Sequence, residues 1–185
     1  MVLHSRSWKV GGSNADVSPG AVGNHIGWHA ARMHRLLPPP VIEVDTDAAY
    51  RATRPMIGRR PWVLANMIST FDGAIEVGGV SGPLGGPGDK DVFGTIRTLP
   101  DVILVGSATV VAERYQPPST SVSTRARRLA SGAWPVARLA VVSARLSFDL
   151  DLPMFARADQ RPLVVTVSDA PADRRKSVEE VADVV

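Results

Sequence analysis

The sequence contains no cysteine. Disulfide staples and thiolate-ligated metal centres are therefore excluded, and a reducing cytoplasm is the expected compartment. Aromatic residues are scarce, at 5%. A nucleic-acid surface needs a basic stripe with aromatic partners, so no nucleic-acid partner is expected of the folded part. No stretch approaches the roughly 18 apolar residues of a membrane span, so no membrane partner is expected either. The four histidines, His4, His25, His29 and His34, all lie near the start. His25 and His29 stand four apart, a spacing that sets two ligands on one helix face. No carboxylate stands nearby to complete a site, so no metal is expected.

The formal charge of +3 is unevenly placed. Residues 1–60 hold eight Arg or Lys against four Asp or Glu, a net of +4. Residues 61–185 hold thirteen against fourteen, a net of −1. The basic character thus belongs to the leading segment, where a nucleic-acid-binding arm is the rival reading and a steep salt dependence its signature.

The 185 residues, 44% hydrophobic and 21% charged, suit one soluble domain with a real core. Residues 1–40 read as a poorly ordered arm, rich in Gly, Ser, Asn and His and ending in Pro38-Pro39-Pro40. Met33 offers an alternative start, and residues 1–32 are expected to stem from an upstream start codon. Residues 41–185 are the expected domain.

Residues 46–53 read as a short capped helix. Residues 61–71 alternate and are apolar, which predicts a strand, and Asp72-Gly73 is a turn signal. Residues 78–88 form a Gly/Pro loop. Asp89 suits a helix cap, with Val92, Phe93, Ile96 and Leu99 on one face, and Pro100 ends the pattern. Residues 102–105 are an all-apolar run, the mark of a strand covered on both faces. Gly106-Ser107-Ala108-Thr109 turns into a second helix through Glu113. Residues 121–130 read as a helix with Arg125, Arg127 and Arg128 solvated. Strands follow near residues 137–142 and 163–167. Ser177 and Glu180 form a capping box that opens a last helix, and residues 182–185 begin another buried strand. Such alternation predicts an α/β fold with a mixed, mostly parallel sheet.

Chemistry concentrates after the 102–105 strand. The first turn of a helix presents free N–H groups, glycine admits close approach, and Thr109 adds a hydroxyl. That arrangement suits a nucleotide phosphate, although many such turns carry Gly and Ser for cap geometry alone. Ser81 is a ligand donor or part of a plain connection. Arg97 at a helix end is either dipole-stabilised or a fork for phosphate. Asp72 reads as a turn residue.

The order of these pieces resembles the pyrimidine reductases of riboflavin biosynthesis. The resemblance rests on Asn66-Met67-Ile68-Ser69-Thr70-Phe71-Asp72-Gly73, Ser81-Gly82-Pro83-Leu84, Ile96-Arg97, and Asp101 through Val110 with its Gly106-Ser107-Ala108-Thr109. It covers residues 59–185. The Gly-rich loop and the Gly88-Asp89 that follows are similar to a single-domain branch of the family without the fused deaminase, and no His-x-Glu or Pro-Cys-x-x-Cys motif of a zinc deaminase is present.

The resemblance implies a dihydrofolate-reductase-like three-layer fold. It implies NADPH-dependent reduction of 5-amino-6-(5-phosphoribosylamino)uracil to the ribitylamino form, in a homodimer when the domain is complete. It places Thr109, Glu113, Ser143, Pro83 and the signature-turn residue Asp72 toward the cofactor. Ser81 and Arg97 fall toward the phosphorylated substrate, and Asn66 near the reacting sugar. Glu113 stands where the family usually has Asp, and Pro83 where it often has Trp. The family continues beyond this point with a Glu-Gly-Gly-type loop and further strands, so the resemblance implies a domain incomplete at its C-terminus. The alternatives are an inactive truncated remnant and a pterin or folate reductase of the same fold.

Overall fold

The computed structural model describes residues 33–51 and 60–185. The His25/His29 pair and the proposed upstream start lie outside the described residues. In chain order the elements are strands β1 (Met33–Arg35) and β2 (Ile42–Val44), and helices α1 (Thr46–Tyr50) and α2 (Pro87–Arg97). Strand β3 (Val102–Gly106) and helices α3 (Ser107–Ala112) and α4 (Val122–Ala130) come next. Strand β4 (Arg138–Val142), helix α5 (Pro153–Ala156), strand β5 (Leu163–Val165), helix α6 (Ala172–Val181) and strand β6 (Asp183–Val184) complete the order.

β3, β4, β5 and β6 lie side by side in that order, all parallel. Parallel neighbours need crossovers, and α3 with α4, α5, and α6 supply them. The fold is α/β, as the alternation predicts. Among the described residues, strands pair antiparallel only in the separate β1–β2 ribbon. That ribbon gives residues 33–35 of the expected arm a regular place.

The core lies on the sheet. Ile103, Val105, Val141 and Val164 are buried with Val110, Leu146, Met154 and Val178. Phe148 and Phe155 stack at 5.4 Å beside them. β4 is covered on both faces at Leu139, Ala140 and Val141. β3 is not, contrary to its apolar run: Val102 is 37% exposed and Leu104 half-buried. The cause is position, because β3 is the edge of the four-stranded sheet.

Several boundaries depart from the sequence pattern. α2 opens at Pro87, with Gly86 as its cap and Asp89 in its first turn. Proline has no N–H to leave unpaired and carries a helix-ready φ. α6 opens at Ala172, so Ser177 is not a cap. It sits mid-helix and donates to the Asp173 carbonyl at 3.1 Å, the back-bond that serine makes inside helices. The largest departure is residues 61–71, which form no strand. Met67 and Phe71 stand 78% and 112% exposed. Alternation alone does not make a strand; it needs a neighbour for its backbone and a layer for its apolar face.

Arginine does much of the tying. Arg128 is buried, not solvated, and donates to the carbonyls of Trp134 at 2.7 Å and Thr98 at 2.8 Å. Arg174 donates to the carbonyls of Leu146 and Phe148. Arg161 reaches the Glu179, Glu180 and Ala182 carbonyls and so satisfies the end of α6.

Arg161 and Arg138 also converge on the Asp183 carboxylate. Their hydrogen bonds, Arg138 foremost, hold its pKa below the ordinary 3.8. A depressed pKa stabilises the fold above the ordinary value, and that gain is lost as pH falls through the folded value. Asp183→Asn is therefore expected to lower stability at neutral pH, and by less as the medium is acidified below about 4. Urea unfolding across pH 3 to 7 measures the narrowing; a parallel offset at every pH refutes it.

Candidate functional site

Two short pieces of local chemistry build the site. The first is a tight hairpin. Val77 N–H donates to the Val80 carbonyl at 2.9 Å, with the return bond at 3.4 Å. Gly78 and Gly79 have φ of 61° and 80°. A two-residue turn of this hand needs left-handed backbone at both central positions, which glycine adopts without penalty. Glu76 and Ser81 flank this isolated bridge, Glu76 before Val77 and Ser81 after Val80, where the chain turns into the 3-10 helix Gly82–Leu84.

The second piece is α3. Ala108 with Ala112, and Thr109 with Glu113 just past the helix end, are spaced four apart and share one side. Arg114 then takes a left-handed φ of 43°, and Tyr115 N–H folds back to the Val110 carbonyl at 3.1 Å. That reversal ends the helix and buries the Tyr115 ring.

Between hairpin and helix lies a cleft of about 320 Å³. Its polar lining is Glu76, Ser81, Thr109 and Glu113. Met67, Ile68, Ile75, Ala108 and Ala112 supply apolar wall. The volume is at the lower end of ligand sites, which run from about 300 to 1,000 Å³. Among the described residues no cluster of acidic or histidine side chains could hold a metal ion, and no helix is long and apolar enough to cross a membrane.

The sequence-expected residues divide around this cleft. Ser81, Thr109 and Glu113 line it together. Asn66 is half-buried and directly precedes Met67 and Ile68 of the wall. Arg97 does not line it. Its guanidinium donates to the Tyr115 hydroxyl at 2.8 Å and lies over the Phe93 and Tyr115 rings at 5.3 and 5.2 Å. Pro83 is exposed, in the 3-10 turn Gly82–Leu84, and is not among the lining residues. Asp72 is also outside. The Thr70 hydroxyl bonds its carboxylate and, with the Ala74 N–H, holds its pKa below the ordinary value. Thr70 and Ala74 close that turn around Gly73, whose φ is 87°.

Residues 106–109 carry the chain from β3 into α3. α3 is only six residues long, and Gly106 provides no side-chain cap bond. The positive end of so short a helix is weak.

Ser143 is buried just beyond β4. Its hydroxyl oxygen accepts from Leu146 N–H at 3.1 Å, and its own N–H donates to the Val165 carbonyl at 3.0 Å. Leu146 has a φ of 53°, rare for a branched side chain. The hydroxyl thus helps hold a strained turn. Ser143→Ala is expected to cost about 1–2 kcal/mol, the cost of leaving a buried N–H unpaired. Urea unfolding reads it, and a loss below about 0.3 kcal/mol refutes this role.

Sequence reasoning missed Glu76, Gly79, Ala108 and Ala112 as cleft residues. One signal was present: Ala108 and Ala112, four apart, stand on either side of Thr109 in sequence.

All of this geometry lies within one continuous match. The sequence model of the RibD C-terminal domain covers residues 61–185. The chain belongs to the RibD C-terminal domain family. Thirteen chains of solved structure also match. One is a pyrimidine reductase-like protein from Corynebacterium diphtheriae, with 27% sequence identity and a TM-score of 0.55. The likeness covers 64% of this chain and 52% of that one, so the chain spans about half the length of that relative. No curated protein matches. Every cleft residue, from Met67 to Glu113, falls inside the part that belongs to the RibD C-terminal domain family.

Proposed function

We propose that this chain is an NADPH-dependent reductase of 5-amino-6-(5-phosphoribosylamino)uracil, forming the ribitylamino product. The observation that carries the reading is the convergence of Ser81, Thr109 and Glu113 on one cleft. Membership of the RibD C-terminal domain family and the reductase-like relative from Corynebacterium diphtheriae support it.

The residues present fit part of a nicotinamide nucleotide. Thr109 offers a hydroxyl that both donates and accepts, and Glu113 a carboxylate acceptor for sugar hydroxyls. The apolar wall of Met67, Ile68 and Ile75 suits one face of a ring. When bound, the reduced nicotinamide supplies the hydride that reduces C1 of the opened sugar. The task of the chain is alignment, since a correctly held pair of reactants gains much of its rate from lost freedom already spent in binding. Ser81, across the cleft from α3, orients the substrate. Asn66 holds the reacting sugar beside the wall. Arg97, pinned by Tyr115, is pre-set as a planar fork for the substrate phosphate outside the cleft. Cytoplasmic location and pairing of two copies belong to the same reading.

The test is NADPH oxidation by the full chain with the aminouracil ribotide, followed by loss of the reduced-nicotinamide absorbance and by mass analysis of the ribitylamino product. Oxidation that depends on the ribotide supports the proposal. Tight NADPH binding with no ribotide-dependent oxidation overturns it.

A further inference from the structure

Arg97, at the end of α2, is half-buried, and among the described residues it forms no ion pair. Its hydrogen bond there runs from Nη1 to the Tyr115 hydroxyl at 2.8 Å. The Phe93 ring, one turn earlier on the same helix, and the Tyr115 ring lie 5.3 and 5.2 Å from the guanidinium carbon. Aromatic faces hold a cation without neutralising it. The Tyr115 bond takes only Nη1, so the side-on edge of Nε and Nη2 stays whole. Two parallel N–H groups on that edge match two oxygens of a phosphate.

Tyr115 itself is fixed by the core. It is 1% exposed. The left-handed Arg114, with φ 43°, turns the chain back, and the Tyr115 N–H reaches the Val110 carbonyl at 3.1 Å. Arginine is among the costliest side chains to order.

We propose that Tyr115 is a positioning residue: its hydroxyl and ring hold the Arg97 guanidinium so that the Nε and Nη2 edge meets a sugar phosphate already ordered. The rotamer freedom of Arg97 is then lost in folding rather than in binding, which raises affinity for the anion. The inference rests on the reductase reading for the identity of the phosphate ester, while the arrangement of Arg97, Phe93 and Tyr115 stands apart from it.

The experiment uses the full chain, as wild type and as Tyr115→Phe, which keeps the buried ring and removes the hydroxyl. Ribose 5-phosphate and ribose are the probes, followed by the Nε–H resonance of Arg97. In the wild type ribose 5-phosphate is expected to shift that resonance and ribose to leave it in place. Tyr115→Phe is expected to weaken ribose 5-phosphate by roughly three- to tenfold, the scale of one hydrogen bond. In turnover the same variant is expected to raise KM for the aminouracil ribotide by a like factor and to hold kcat within about twofold. Phe93→Leu, which removes the other ring, is the second variant and is expected to act in the same direction. A tyrosine that only fills the core would lower melting temperature and leave the affinity for ribose 5-phosphate unchanged. That result overturns the proposal, as does a wild-type Arg97 resonance that ignores ribose 5-phosphate; ribotide-dependent oxidation would still uphold the reductase reading in either case. Weaker ribose 5-phosphate binding in both variants, with no ribotide-dependent oxidation by the wild type, supports the positioning role and overturns the reductase reading alone.

Discussion

Ala112→Trp is expected to lower reductase turnover by about 100-fold or more, equivalent to about 2.7 kcal/mol of barrier, while the fold stays intact. Ala112 ends α3, is exposed, and lines the cleft beside Thr109 and Glu113. An indole placed there fills much of a space of about 320 Å³. It meets no core atom, because the side chain points into open cleft. Exposed substitutions of this kind usually change stability by no more than about 0.5 kcal/mol. Blocking a site without unfolding the protein separates the cleft from other surfaces as the seat of chemistry. The measurement is kcat/KM for the proposed ribotide-dependent NADPH oxidation beside a thermal melt. Ala108→Trp, one turn earlier on the same side, is the companion variant. Full turnover in both, with unchanged melting, would place the reaction elsewhere.

Arg128→Met is expected to destabilise the domain by about 3 kcal/mol. Arg128 is 6% exposed, and its guanidinium joins the Thr98 carbonyl that follows α2 to the carbonyl of Trp134. Each hydrogen bond from a charged donor is worth about 1.5–3 kcal/mol, and its loss leaves a carbonyl unpaired. Two effects reduce the sum. Burial pushes the Arg128 pKa below its usual value, with partial relief from the Asp101 carboxylate. The Nη2 nitrogen is also buried with no hydrogen-bond partner among the described residues, a cost that the substitution removes. The net corresponds to a fall in melting temperature of about 6–12 °C for a domain of this size. Lysine is no remedy, since its ammonium lacks the planar fork that reaches two carbonyls. Arg127→Met, one residue earlier and exposed, is the control, expected to change stability by less than about 0.5 kcal/mol. Equal melting of the two variants would show that Arg128 ties nothing together.

Arg128 also marks the limit of pattern reading. Arg125, Arg127 and Arg128 look alike in sequence, yet only Arg128 is buried. Helical periodicity says which residues share a face. It does not say that one face meets two unsatisfied carbonyls from residues 98 and 134, because those come from distant parts of the chain. The same holds for Arg97. Its place at the end of α2 was legible, but its capture by Tyr115, eighteen positions on, was not.

What the sequence by itself determined was local. The strands β3, β4 and β5, the stop before Pro100, the Asp72-Gly73 turn and the membership motifs all follow from side-chain preference over a few residues. Thr109 and Glu113 could be placed together because four positions on a helix make neighbours. The tertiary structure alone decided which apolar stretch becomes a strand, which arginine is buried, and which carboxylates share the cleft. Residues 61–71 alternate as well as any strand, but strand formation is settled by hydrogen-bond partners and a covering layer. Both come from chain far away in sequence, where local preference carries no information.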